Sequence, residues 1–512
     1  SRTLRHALLF IYKPVGNKLK KVSCIQELND LTYLNTMETL NKSLMVFLLM
    51  FSCLSQAQWN QVGEDIDGET SGDTSGYSVS LNSIGDVVAI GSPQNENNGY
   101  DSGQVRIFQQ INNDWIIIGD EINGEFENDL FGNSVSLNSD GSIIAIGART
   151  NSSNGNNSGL VKIYQNTNSV WEQIGSSILG EVAQATSGWS VNLSSDGSIV
   201  VIGSPNYNIG KGQIRVFENI GGNWFQLGQS IEGLEGTFQF GEEVSINNDG
   251  NIIAVKANDY VHILKYINGN WESFGQVIED IGPVYSVNLS SNGQVVSIGI
   301  FGEYGKVRVY NFENDNWELL GQVINGDELN DDFGCSVSLN DEGTIVAIGA
   351  KDNNGNGINS GIVKIYKIIN ETWIQIGDNI VGENEGNDFG WSVNLNSNGS
   401  RLAIGGPTNG ENGFYSGHTR VFENELLNNN SVSINEILLY PNPTNGILNY
   451  KTLNNENFQL TIFDVTGKIM LKKILNSVNN ISQIDISNVK NGMYFVKIET
   501  TKGSFAKKII KE

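Results

Sequence analysis

From about residue 58 the chain repeats one rhythm of apolar and polar positions. Short alternating runs such as "SVSLN", "IIAIG", "LVKIY" and "WEQIG", all within residues 134–175, are separated by clusters of Gly, Asn and Ser. Alternation over four to six residues between turn formers predicts half-buried β-strands. The link "SDG" between the first two runs predicts a tight hairpin, and a Gly recurs there in every unit: Gly85, Gly141, Gly197, Gly250, Gly293, Gly343 and Gly399. Such a turn needs positive φ, which glycine adopts without steric cost.

Tryptophan marks the fourth run of each unit. Trp59, Trp115, Trp171, Trp224, Trp271, Trp317 and Trp373 lie 56, 56, 53, 47, 46 and 56 residues apart. A period near 50 in an all-β chain means a propeller or a solenoid. Four antiparallel strands repeated seven times predict a seven-bladed β-propeller over residues 58–425. The seventh unit has "WSVNLNSNGSRLAIGG" and "HTRVFEN" but no Trp strand, whereas Trp59–Val62 is a fourth strand with no unit of its own. The N-terminal strand is therefore expected to complete the last blade and close the ring, removing two exposed sheet edges.

Composition supports this reading: 59 Gly but only 7 Pro among 512 residues, and 17% charged residues. After Met37, the apolar run "LMVFLLMFSCL" (44–54) and the small residues ending at Ala57 resemble a secretory signal peptide, 37–57, cleaved after Ala57. Residues 1–36 are expected to lie upstream of the mature protein. Cys53 permits a lipoprotein reading, but Met50 and Phe51 before it fit that signal poorly. Cys335 would be the one cysteine left, so stability must come from core burial rather than disulfides. His262 and His418 are too few for a histidine-based zinc site, and no metal ligand is assigned. Residues 58–435 carry 14 Lys and Arg against 47 Asp and Glu, while 436–512 carry 10 against 6. So acidic a body argues against nucleic acid and anionic membranes, and for cations or neutral and basic ligands.

The pairs Phe131-Gly132, Phe240-Gly241, Phe333-Gly334 and Phe389-Gly390, with "AIGA/AIGS" and the following "SGxV", resemble the FG-GAP repeats of integrin-alpha-type propellers. Many such repeats carry an Asp-rich calcium loop between their first two strands. Here that link is only "NSDG", too short to surround a cation with six to eight oxygens, so no calcium site is carried over and no cofactor is assigned. After a linker at 426–437, residues 438–512 read as a small β-sandwich. Tyr440-Pro441-Asn442-Pro443, Gly467, "GMYFVKI" from Gly492 (with Tyr494) and the Lys-rich last strand resemble the type A C-terminal sorting domain of the type IX secretion system. The resemblance implies that machinery as a partner, and passage through the periplasm to the outer-membrane surface or the medium.

Candidate chemistry falls where the innermost strands begin. The positions after "FG" are Tyr77, Asn133, Trp189, Glu242, Tyr285, Cys335 and Trp391. Four of these, Tyr77, Trp189, Tyr285 and Trp391, are aromatics suited to stacking on a sugar or a peptide side chain, or else to plugging the channel and packing between blades. The recurrent Trp series is explained by packing. Carboxylates recur ahead of the first strands (Glu69 and Asp73, Glu125 and Asp129, Asp327 and Asp331), where tying down their own loops accounts for them better than cation binding. No pair stands out as the two acids of a glycosidase, His418 reads as repeat drift, and no catalytic residue is assigned. The second-to-third-strand loops shrink in units four and five, which predicts a low side to the rim there. The expected protein is a non-catalytic, secreted or cell-surface binding or adhesion module for a glycan or protein, with no nucleic-acid partner and no transmembrane segment in the mature chain. The alternatives are an extracellular polysaccharide-acting enzyme with rim carboxylates, and a structural surface component.

Overall fold

The computed structural model describes residues 58–427, 437–440, 443–452, 458–464, 468–475, 482–500 and 503–512. The expected signal peptide 37–57, the expected cleavage site at Ala57, and most of the linker lie outside these residues. Nearly all the regular structure of the described chain is β-strand, in antiparallel sheets.

Residues 58–423 form seven sheets with one internal order. The second sheet is representative: Phe131–Leu137 pairs with Ile143–Ala148, then Leu160–Thr167, then Val170–Gln173. Its first hairpin turns at Gly141, whose φ of 75° is the left-handed conformation that the "SDG" motif demands. The turn is fixed from within, because Asn138 Oδ1 accepts the Ile143 N–H at 2.9 Å. In the seventh sheet, Ser392–Leu395, Arg401–Gly406 and His418–Glu423 are joined by Asn60–Gln61, with Asn60 opposite Glu423. The orphan strand thus pairs where the sequence places it.

Two positions of the first hairpin bind neighbouring sheets together. In "SVSLN" and its copies, the central Ser or Asn accepts a backbone N–H from the first strand of the next sheet. Ser80 takes Leu137, Ser136 takes Leu193, Asn192 takes Ile246, Ser245 takes Leu289, Asn288 takes Leu339, and Ser338 takes Leu395. Asn394 of the seventh sheet then takes Leu81 of the first, so the series returns to its start with every bond between 2.7 and 3.0 Å. These seven side chains line a polar cavity of about 150 Å³. Three residues after each Ser or Asn runs a second cycle, backbone to backbone, from Ser83 through Ser139, Ser195, Asn248, Ser291, Asp341 and Ser397 back to Ser83. The residue just before this second position is the hairpin clamp represented by Asn138, which acts within its own sheet.

The recurrent tryptophans make the outer counterpart. Each indole N–H from Trp115 to Trp373 donates to a carbonyl of the preceding sheet, and Trp115 reaches Val62 of the N-terminal segment at 2.8 Å. Trp59 Nε1 is buried with no hydrogen-bond partner. Between these polar bonds the sheets bury Val, Ile and Ala of their second strands, with Phe240, Phe333 and Phe389 of the "FG" pairs fully enclosed. Cys335 is the free thiol here, so apolar burial and these bonds carry the stability.

The C-terminal residues form two further sheets. One runs Ile437–Tyr440, Ile447–Thr452, Ser482–Asp485; the other Ile469–Leu475, Phe458–Asp464, Gly492–Thr500, Gly503–Lys511. Leu448 and Ile484 of the first share one core with Leu460, Ile462, Tyr494, Val496 and Ile509 of the second.

Replacing Asn394 by Ala strands the Leu81 N–H at the seam between the last and first sheets. A loss of about 1–3 kcal/mol in urea unfolding is expected, similar to the loss for Ser136→Ala within the series. An Asn394→Ala loss near zero, with Ser136→Ala fully destabilising, would show that the seam bond is not made.

Candidate functional site

The first strands begin at one end of their sheets, beside the ends of the second strands, as in the pairing of Ser78 with Gly91. Seven side chains from those starts, one per sheet, line a single cavity of about 410 Å³: Tyr77, Asn133, Trp189, Glu242, Tyr285, Cys335 and Trp391. The four aromatics named from the sequence are therefore brought together, each half-buried. Their faces are not bare. Tyr77 and Trp391 lean on each other at 5.3 Å between centroids. The Arg149 guanidinium lies 4.4 Å over the Trp189 ring and 5.8 Å from that of Tyr77. Lys351 Nζ stands 5.7 Å from the Trp391 ring, and Tyr285 meets Phe301 edge-on at 5.1 Å. Cation–π contacts of this kind hold both partners in place.

Arg149, Lys256, Lys351 and Glu243 line the same cavity and were missed in the sequence. Each stands where the repeat breaks. Arg149 and Lys351 occupy the slot that holds Pro93, Pro205 and Pro407 elsewhere, and Glu243 replaces the serine of six other units. Three of the 14 cations of an acidic body thus converge on one mouth. Lys351 is paired with Asp332 at 2.6 Å and Asp352 at 2.8 Å, and Lys256 with Glu242. Arg149 Nη1 is 3.4 Å from the Tyr77 hydroxyl.

Burial governs the titration of this site. It pushes the Cys335 thiol up to about 12, so no thiolate nucleophile forms near neutral pH. It raises the Tyr285 hydroxyl too, helped by the charge of Asp332. Glu243 is raised to about 7 by burial, against the pull of Lys256 and of the Val287 N–H that it accepts at 2.8 Å. Asn133 is occupied structurally: its amide donates to the Gly188 and Trp189 carbonyls and accepts the Arg149 N–H.

The carboxylates of the leading loops are tied locally. Asp73 accepts the Glu69 and Thr70 N–H groups and the Asn95 amide; Asp129 accepts Phe126 N–H and the Asn151 amide; Asp331 accepts Phe333 N–H and the Asn353 amide. Glu69, Glu125 and Asp327 pair with Arg106, Lys162 and Lys364 on the third strands. The second-to-third-strand loops of the fourth and fifth sheets are short, yet a cleft of about 680 Å³ opens elsewhere, between loops of the first and second sheets, beside Phe126, Asp129 and Thr150.

In the C-terminal sheets, Tyr440 pairs with Asn449 and Pro443 is exposed. Gly492 opens its strand, and the buried Tyr494 donates its hydroxyl to the Lys490 carbonyl at 2.7 Å. Pro441, Asn442 and Gly467 lie outside the described residues. Residues 438–512 match the family described as the secretion system C-terminal sorting domain. No curated protein matches the chain. The sorting domain marks the protein for export by the type IX secretion system, to the cell surface or beyond. Among the described residues, no helix is long and apolar enough to cross a membrane.

Glu243 gives a test of the mouth. Because its folded value lies above the ordinary 4.5, the folded state holds this proton longer than the unfolded chain does. The group is thus increasingly unfavourable to folding as pH rises from about 4.5 to about 7. Glu243→Gln, which keeps an acceptor for Val287, is expected to be more stable than wild type above pH 7, on the order of 2 kcal/mol. The difference should vanish below pH 4.5, as chemical unfolding across this range would show.

Proposed function

We propose that residues 58–425 form a seven-bladed β-propeller, closed by the N-terminal strand, that serves as a non-catalytic binding module outside the cell. The two hydrogen-bond cycles that return from the seventh sheet to the first support the closed arrangement. The observation that carries the binding reading is the mouth itself, where Tyr77, Trp189, Tyr285 and Trp391 meet Arg149, Lys256 and Lys351. With Lys256 and Lys351 paired to carboxylates, the rings and the Arg149 guanidinium suit a ligand that combines a flat apolar face with an anionic group for Arg149, such as an acidic sugar or a carboxylate-bearing side chain. The overall charge favours neutral or basic ligands, but contact is decided locally, and here the local charge is mixed.

The surrounding loops add to the reading. Tyr100, Phe126, Phe238, Phe301, Tyr304 and Phe414 are all exposed on loops at this end of the sheets, and Phe414 stacks on Tyr415 at 3.9 Å. An enzyme acting through rim carboxylates is the weaker reading, since Asp73, Asp129 and Asp331 are committed to their own loops.

The test is an array of neutral and acidic glycans probed with the full chain. Binding to acidic glycans, weakened more than about tenfold by Trp189→Ala or Arg149→Ala, is expected. Glycan binding indifferent to both substitutions would overturn the site, and a blank array would move the search to protein partners.

A further inference from the structure

The N-terminal segment meets the seventh sheet at a cluster whose residue types, though not the burial of unpartnered polar atoms, differ from those at the same place in its neighbours. Asp67 pairs across the sheet with His418. The corresponding pairs are Gln104 with Asn123 in the first sheet and Leu160 with Leu179 in the second. Asp65, two residues earlier, turns one carboxylate oxygen toward the same histidine.

His418 is fully buried, and neither ring nitrogen has a hydrogen-bond partner. Nδ1 stands 3.4 Å from Asp65 Oδ2, beyond the usual hydrogen-bond length. Asp67 Oδ1 is likewise buried and unpartnered. The other oxygen of Asp65 is fixed by Gln61 Nε2 at 2.6 Å and Arg420 Nε at 3.2 Å, which leaves Oδ2 facing the imidazole. Ligand atoms of Asp65, Asp67 and His418 lie within 4.8 Å of one another, and those of Asp65, Glu383 and Glu411 do as well. Buried polar atoms left without partners are costly, and an imidazole converging with two carboxylate oxygens is a donor set for a divalent ion.

We propose that Asp65, Asp67 and His418 form a cation site that clasps the N-terminal segment to the last sheet. A nitrogen donor beside two carboxylates favours Zn²⁺ or another first-row transition ion over Ca²⁺, which takes oxygen ligands throughout. Three protein ligands leave one tetrahedral position for water. Two ligands come from the start of the repeat region and one from its end, so the ion binds only when the segment is docked. Binding therefore favours the docked state by mass action. Two histidines made such a site improbable from the sequence, because its other ligands lie some 350 residues from His418.

The test is calorimetric titration and thermal unfolding of the chelator-treated full chain with Zn²⁺ and, separately, Ca²⁺. One equivalent of Zn²⁺ should bind and raise Tm by at least about 3 °C, with Ca²⁺ giving little. The double variant Asp67→Asn, His418→Gln recreates the Gln104 and Asn123 pair that the first sheet already accommodates. It should fold and lose the Zn²⁺ response, and Asp67→Asn alone should weaken binding more than about tenfold. Wild-type protein that binds no Zn²⁺, or an unchanged response in the folded variants, would overturn the proposal.

Discussion

The first strand of each sheet has a free edge, and the rest of the architecture depends on how that edge is satisfied. An unpaired row of backbone N–H groups invites pairing with other chains and is costly when shielded from water. Here one Ser or Asn per sheet, at the centre of "SVSLN" or its copy, accepts an N–H from the next sheet. The bond is short and local, yet it recurs seven times and ends where it began, at Leu81. Closing the series takes both ends of the repeat region, and Asn60–Gln61 likewise joins the seventh sheet rather than the first.

The site follows from the same register. Since all seven first strands start at one end, any residue in the position after "FG" faces the same small volume. The repeat supplies the frame, and departures from the repeat supply the chemistry. Serine at position 243 would continue the pattern; Glu243 instead places a carboxyl against Lys256. Proline at 149 or 351 would likewise continue it, whereas Arg149 and Lys351 lay cations on Trp189 and Trp391.

Strand order, the turn glycines and the role of the N-terminal strand were legible in the sequence because each rests on local periodicity. The aromatics of the mouth were legible for the same reason, as one column of an alignment of the chain with itself. The cations over them were not, because they come from the ends of second strands and meet the aromatics only across sheets. Nor was the cluster at His418, a residue that reads as drift in one dimension and faces Asp65 and Asp67 in three. The leading-loop acids show the converse. Their recurrence suggests a shared site, yet Asp73, Asp129 and Asp331 each tie their own loop to the second-to-third-strand loop of the same sheet.

Export rests on the C-terminal sorting domain, whereas the binding role we propose rests on a mouth built by sheets from the whole repeat region. The central claim is therefore that the seam between the last and first sheets is made by the same bond as every other junction. Native-state hydrogen exchange of the Leu81 amide tests it most directly. Protection matching that of Leu137 and Leu289 is the predicted result. Exchange of Leu81 at the rate of an unstructured amide, with Leu137 and Leu289 still protected, would contradict it.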